Sequence, residues 1–318
     1  MPSKSIIFFA SLIFIHSTYP NHFPLADSKS YVLACGASNE GIDSDGRKWE
    51  PDSKIFSSSS NTATITATAG SQDPSLPSTI PYMTARLSKS QFSYNLPLSK
   101  ASRHFLRLHF YPSDYPSINA STSFFSVSAN SISLLHNFSA FITAEALTQA
   151  YIVREFSLVD TQSRNLNLTF TPSSNYKDSY AFINGIEVIP SPNIYKEATM
   201  VGFADQTFDV SSSTLQTMFR LNVGGQFIPG VNDSALLLRT WYDDSPYLYG
   251  AGVGVTSQAN ITIKYPTTDT PKEIAPLDIY ETARTMGPSS TVNANYNLTW
   301  VFRVDPNFTY FVRLHFCE

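Results

Sequence analysis

Apolar and polar residues alternate with a period of two along much of this chain. In "FLRLHFYP", Phe105 to Pro112, Leu106, Leu108 and Phe110 stand against Arg107 and His109, and Pro112 closes the run. That pattern predicts a half-buried strand with Arg107 and His109 on its solvent face. "SFFSVSANSISLL" (Ser123 to Leu135) and "LNLTFTP" (Leu166 to Pro172) alternate in the same way. "YAFINGIEVIP" (Tyr180 to Pro190) contains Asn184-Gly185, a two-residue hairpin signal. Thr143 to Phe156 fits a helix or a strand equally well, and no amphipathic helix longer than about two turns is evident. Many short strands separated by turn residues predict an all-β antiparallel sandwich or jelly roll. Pro190 and Pro192 close a first domain, 27–190, and the stretch 191–214, with its Ser run, reads as a linker.

The pattern also repeats at long range. Arg47, Trp49 and Asp52 return as Arg239, Trp241 and Asp244 in an R-x-W-x-x-D spacing, displaced by 192. Thr84-Ala85-Arg86 returns as Thr282-Ala283-Arg284 at 198, and Arg107-Leu-His-Phe110 as Arg313-Leu-His-Phe316 at 206. Ordered matches with slowly growing offsets indicate a duplicated domain. The second copy, 215–318, reaches its "RLHF" strand at the last residues, whereas the first runs on for 80 more, from Phe110 to Pro190 (190 minus 110). Only the N-terminal part of a second domain is therefore expected. Unpaired strand edges should make the region beyond about residue 215 labile to protease, leaving a core near 27–200.

Composition narrows the setting. Charged residues are only 14% of the chain and aromatics also 14%, so Ser, Thr and Asn must build much of the surface. With a net charge of −4 and no basic run, nucleic acid is not an expected partner. Lys4 followed by the apolar run Ile6 to Ile15 matches a secretory signal peptide, residues 1–26, and is too short to span a bilayer. No other segment has the length of a membrane span. Asn-x-Ser/Thr sequons stand at Asn119, Asn137, Asn167, Asn232, Asn260, Asn297 and Asn307, which in a secreted chain predicts a glycoprotein with these residues at the surface. Two cysteines, Cys35 and Cys317, do not make a disulfide framework, and their pairing is left open.

Taken together, "YVLACGASNEG", the R-x-W-x-x-D and Thr-Ala-Arg pairs, "LRLHFYP", "AFINGIEVIP" and "VRLHFCE" resemble plant malectin-like receptor kinases of the FERONIA and THESEUS type. The resemblance implies tandem malectin-like β-sandwich domains, jelly-roll-like and related to carbohydrate-binding modules, the second incomplete. It also implies an ectodomain that, in the full-length receptors, precedes a transmembrane helix and a Ser/Thr kinase at the plasma membrane. Implied partners are a cell-wall glycan, a secreted peptide of the rapid alkalinisation factor class, or both, with a lipid-anchored co-receptor. No cofactor is implied.

Several motifs invite chemistry, and each has a plainer alternative. "YGAGVGV" (Tyr249 to Val255) lacks every other kinase signature and reads as a turn or bulge. "DSDG" (Asp43 to Gly46) lacks the later ligands of a Ca²⁺ loop and reads as an Asx turn. His104, His109 and His136 have no metal-ligand spacing. Because the R-x-W-x-x-D group occurs in both copies, a structural role for Arg47, Trp49, Asp52, Arg239, Trp241 and Asp244 is preferred over sugar stacking. Ligand contact is assigned to Tyr111, Asp114 and Tyr115 on the Pro-punctuated loop "YPSDYPS", and to Tyr82. A ligand-sensing ectodomain is the leading function. A carbohydrate-active enzyme is less favoured, since no hydrolytic motif is present. An incomplete product or a secreted decoy without signalling is compatible with the first reading.

Overall fold

In the computed structural model, the described residues are 29–56, 64–98, 102–116, 118–159, 164–250, 254–259, 262–265 and 272–317. The expected signal peptide 1–26 and Asn260 lie outside them.

The first unit contains β1 (Tyr31–Ala34), β2 (Gly41–Ile42), β3 (Lys48–Pro51), β4 (Ile65–Thr68), β5 (Thr84–Ser88), β6 (Phe92–Pro97) and β7 (Arg103–Phe110). It continues with β8 (Phe125–Ala129), β9 (Ile132–Phe138), helix α1 (Ala140–Leu147), β10 (Ile152–Leu158), β11 (Asn165–Pro172), β12 (Ala181–Ile183) and β13 (Gly185–Ser191). A connecting hairpin, β14 (Glu197–Met200) and β15 (Phe203–Asp209), precedes β16 (Leu215–Thr217). The second unit is sparser, with β17 (Leu221–Asn222), β18 (Tyr242–Asp243), β19 (Val255–Gln258), α2 (Asp278–Glu281), β20 (Thr282–Thr285) and α3 (Ser290–Asn295).

One sheet has the order β16-β10-β7-β13-β1-β3-β2 and faces sheets of order β6-β11-β8-β9 and β12-β5-β4. Every pairing is antiparallel except β1 with β3 and β17 with β18. The sandwich core is filled by the inward rows of these strands, among them Leu106, Leu108 and Phe110 against Tyr94, Phe125 and Phe170. Burying each such side chain contributes roughly 1.5–3 kcal/mol relative to leaving it in water.

The ambiguous segment Thr143 to Phe156 divides between two elements. α1 starts at Ser139, whose Oγ accepts from the Ile142 amide, and ends at Thr148 in the left-handed region; β10 follows. The run Ser123 to Leu135 is two strands, broken at Asn130 with φ of 52°.

Three expectations are corrected. Asn184-Gly185 does not turn a hairpin: Ile183 pairs with Arg86, and Gly185 pairs with Ala34 and His109, so the chain crosses from one sheet to the other there. The buried Asn184 carboxamide joins the layers, donating to the Tyr82 and Thr84 carbonyls and accepting from the Tyr111 amide. Gly185 is required because a Cβ would come within 2.8 Å of the Trp49 ring. Second, the stretch read as a linker holds the β14–β15 hairpin, and Leu215–Thr217 pairs with β10 as the edge of the first unit's sheet. Third, β7 has no solvent face. All eight of its residues are buried, because the second unit lies over the side that carries Arg107 and His109.

Candidate functional site at the inter-unit seam

The repeated residues build the same cassette twice. In the first unit the buried Asp52 carboxylate accepts from Arg86 Nε at 2.6 Å and Nη2 at 2.8 Å, from the Tyr94 hydroxyl at 2.7 Å and from the Gly36 amide at 3.1 Å. In the second, Asp244 accepts from Arg284 Nε at 2.8 Å and Nη2 at 2.7 Å, from Trp300 Nε1 at 2.8 Å and from the Gly224 amide at 2.9 Å. Gly36 and Gly224 both have positive φ, 76° and 74°, and press on the carbonyls of Ala85 and Ala283. Trp49 Nε1 donates to Asp43 and Trp241 Nε1 to Asp233. His109 sits edge-on to Trp49 and 3.1 Å from the Tyr82 hydroxyl; His315 stands likewise to Trp241 and, at 3.1 Å, to Tyr280. Asp43 itself makes an Asx turn, accepting from the amides of Asp45 and Arg47.

The two arginines of the repeat diverge. Arg239 is held by Asp233 within its own unit. Arg47 reaches across to the second unit, where Nη2 donates to Thr240 Oγ1 at 2.8 Å. Beside it, Arg107 donates to Glu155 at 2.6 Å, to Glu187 at 2.9 Å and to the Leu237 carbonyl at 2.9 Å. Arg220 forms a further ion pair with Glu155, which also accepts from Thr217. Phe105, Ile189 and Ile194 meet Ile228, Leu237, Trp241, Ile274 and Ile279 in a second apolar cluster along the same seam.

Burial would raise both glutamates, but the guanidiniums outweigh it. Arg220 and Arg107 hold Glu155 well below the ordinary carboxylate range. Arg107, the His109 hydrogen bond and Arg47 bring Glu187 down to about 2. Burial holds the His109 imidazole below its ordinary value, partly opposed by Glu187. A neutral ring satisfies both neighbours, accepting at Nδ1 from Tyr82 and donating from Nε2 to Glu187 at 2.8 Å. This is a joint of buried ion pairs, in which Arg47 Nε is enclosed without a hydrogen bond and stands 3.9 Å from Glu187. It fixes one unit on the other.

Of the four assigned ligand contacts, three are enclosed. Tyr82 is buried on His109 and Tyr151. Tyr111 is buried, donating to the Ser71 carbonyl and accepting from the Asp73 amide. Tyr115 is buried, donating to the Tyr111 carbonyl and accepting from Asn184. Buried in the core cluster, none offers a ring face to a sugar; on the loop Asp114 and Pro116 are exposed. Asp114 is exposed and accepts from the Ala120 amide. Pro116 borders a groove of about 420 Å³ lined by Gly36, Ser38, Ile65, Thr66, Thr68 and Thr84. Sequence reasoning missed Glu155, Glu187 and Arg220; charged residues inside apolar strands, as in "IVREF" and "GIEVIP", were the available signal for the two glutamates.

Among the sequons, Asn119, Asn167, Asn232, Asn297 and Asn307 are exposed. Asn137 is half-buried, with its Oδ1 enclosed. Cys35 is buried and Cys317 exposed, both as free thiols. Among the described residues, no helix is long and apolar enough to cross a membrane.

The model of the malectin-like domain matches residues 33–318. The chain belongs to the malectin-like domain family. Its malectin-like units are similar to the receptor-like protein kinases ANXUR1 and FERONIA of Arabidopsis thaliana. Identity is 50% over 313 residues to ANXUR1, covering 98% of this chain and 36% of that protein. To FERONIA it is 48% over 299 residues, covering 92% and 33%. The chain thus spans about a third of these curated relatives' length, and what it matches is their malectin-like ectodomain, with no kinase domain matched. The crystal structure of the ANXUR1 extracellular domain superposes with a TM-score of 0.87 at 52% identity, over 91% of this chain and 75% of that one. A chain from the crystal structure of the plant peptide RALF23 in complex with FER and LLG2 gives 0.80 at 47%, over 91% and 74%.

Proposed function

We propose that these malectin-like units are the extracellular sensing region of a plant receptor kinase, placed at the outer face of the plasma membrane. Their ligand is a secreted peptide of the rapid alkalinisation factor class, bound together with a lipid-anchored co-receptor. The observation that carries this reading is the likeness, at 47% identity and a TM-score of 0.80, to a chain from the crystal structure of RALF23 in complex with FER and LLG2. The seam supports it: a joint of buried ion pairs holds two units as one rigid platform, which suits recognition of a partner rather than turnover of a substrate. A cell-wall glycan is the less favoured ligand, since Tyr82, Tyr111 and Tyr115 are enclosed. On the same reading, residues 1–26 are removed on secretion and the exposed sequons carry N-glycans.

The test is biolayer interferometry on the secreted chain with a RALF23-type peptide, with and without an LLG2-type co-receptor. Saturable binding that tightens when the co-receptor is added is expected. Absence of peptide binding under both conditions, or binding of pectin alone, overturns the proposal.

A further inference from the structure

The connecting hairpin has a sidedness that the seam does not use. Its base is fixed: Ile194 and Val210 are buried, and Tyr195 lies between the guanidiniums of Arg103 and Arg313 at 4.8 and 5.1 Å. Beyond the base both strands stand in solvent. Register pairs Glu197 with Asp209, Ala198 with Phe208 and Thr199 with Thr207; it then shifts between Thr199 and Met200, and Met200 pairs with Phe203. Directly paired residues share a face, and residues two apart on β14 share one as well. Before that shift one face is therefore Ala198 with Phe208 and the other is Glu197, Thr199, Thr207 and Asp209; beyond it the apolar pair Met200–Phe203 closes the hairpin. Met200, Phe203 and Phe208 are 41%, 54% and 51% exposed, and Val201 at the tip is wholly so.

A two-stranded hairpin in water is marginal on its own, and among the described residues neither outer edge of this one pairs with another strand. Strand addition satisfies an open edge and lets alternate side chains read the two faces. Charge decides what strand fits. Residues 191–213 carry Lys196 against Glu197, Asp205 and Asp209, a net of −2 (one minus three). Hydrogen bonds from Ser211 and Ser212 hold Asp209 below the ordinary carboxylate range, so it stays anionic in mild acid. An acidic hairpin is repelled by anionic lipid, and by the like charge of the same hairpin on a second copy. No sequon lies between Asn167 and Asn232, so no N-glycan is attached on the hairpin.

We propose that the hairpin Glu197–Asp209 binds an extended peptide segment of alternating basic and apolar residues by strand addition, the apolar residues packing on the exposed side chains of Met200, Phe203 and Phe208 and the basic ones on the Glu197–Asp209 face. This rests on the peptide-sensing reading and assigns it a contact. The probe is a fluorescently labelled octapeptide of alternating Lys and Val, titrated by anisotropy into the full chain, with a Glu-Val octapeptide as the mirror in charge. Saturable, salt-sensitive binding of the Lys-Val peptide alone is expected, weakened about tenfold in Glu197→Lys/Asp209→Lys. A comparable loss is expected in Phe203→Ser/Phe208→Ser, with far-UV circular dichroism unchanged in both variants. Equal binding of the two peptides, or wild-type affinity in both variants, overturns the proposal. So does uptake onto anionic vesicles or self-association in place of peptide binding. A RALF23-type peptide that binds these variants as it binds wild type removes the hairpin as the contact and leaves peptide sensing standing. Failure of that peptide to bind the wild-type chain strikes the function itself.

Discussion

The same tetrapeptide, Arg-Leu-His-Phe, meets opposite fates in the two units. At Arg107–Phe110 every residue is buried, with β10 and β13 hydrogen-bonded on either side and the second unit packed over one face. At Arg313–Phe316, Leu314 and Phe316 are 70% and 81% exposed and no strand forms. Ile152–Leu158 and Gly185–Ser191 flank β7, whereas among the described residues no strand pairs with 313–316. The cassette side chains nevertheless come together in both copies: Asp244 gathers Arg284, Trp300 and the Gly224 amide much as Asp52 gathers Arg86, Tyr94 and the Gly36 amide. The contrast separates two kinds of information in one motif. Side-chain pairing is local enough to form wherever the cassette occurs, whereas the strand needs neighbours supplied from elsewhere in the chain.

Substitutions at paired positions sharpen that comparison. The largest effect is expected at Arg107. Arg107→Ala strips Glu155 and Glu187 of a buried partner and should cost about 3–5 kcal/mol in urea unfolding. Arg313→Ala, which loses one bond to the Ile194 carbonyl and its place on Tyr195, should cost about 1 kcal/mol. Leu108→Ala should lose about 2–5 kcal/mol and Leu314→Ala less than about 0.5 kcal/mol. Comparable losses within either pair would break the contrast.

The smallest effect is on pH dependence. Burial, with Arg313 and Arg239, pushes His315 down to about 4, and burial also lowers His109. A histidine depressed in the folded state favours the unfolded chain once protonated. Its contribution is complete above its unfolded value of about 6.5 and is lost as pH falls toward the folded value. Glu187, depressed to about 2, contributes above its unfolded value and loses that contribution on further acidification toward pH 2. The melting temperature should therefore drop between pH 6.5 and 4.5 and drop again below. His315→Gln should flatten the first step, and an unchanged step in that variant contradicts the assignment.

Much of the fold was legible because it is written at short range. The alternation of Leu106, Leu108 and Phe110 and the Asx turn at Asp43 both depend on residues close together in sequence. What escaped was set from a distance. Arg107 and His109 look like a solvent face until Leu237, 130 positions later, arrives to cover them. Asn184-Gly185 has the composition of a hairpin turn, but Trp49 and Pro81 press on Gly185 and three backbone groups claim the Asn184 side chain, which fixes a crossing between sheets instead. The tyrosines of "YPSDYPS" suggested a binding loop by residue type alone, and their hydrogen bonds turn them inward.

Amide hydrogen exchange across the two copies tests the central claim most directly. In this chain, peptides covering Arg103–Phe110 should exchange only on global unfolding, while those covering residues 311–317 should exchange within seconds, as unprotected backbone does. Equal protection of the two segments, or rapid exchange in Arg103–Phe110, would contradict an account in which the second unit seals one face of β7 and leaves its own copy of that strand unpaired.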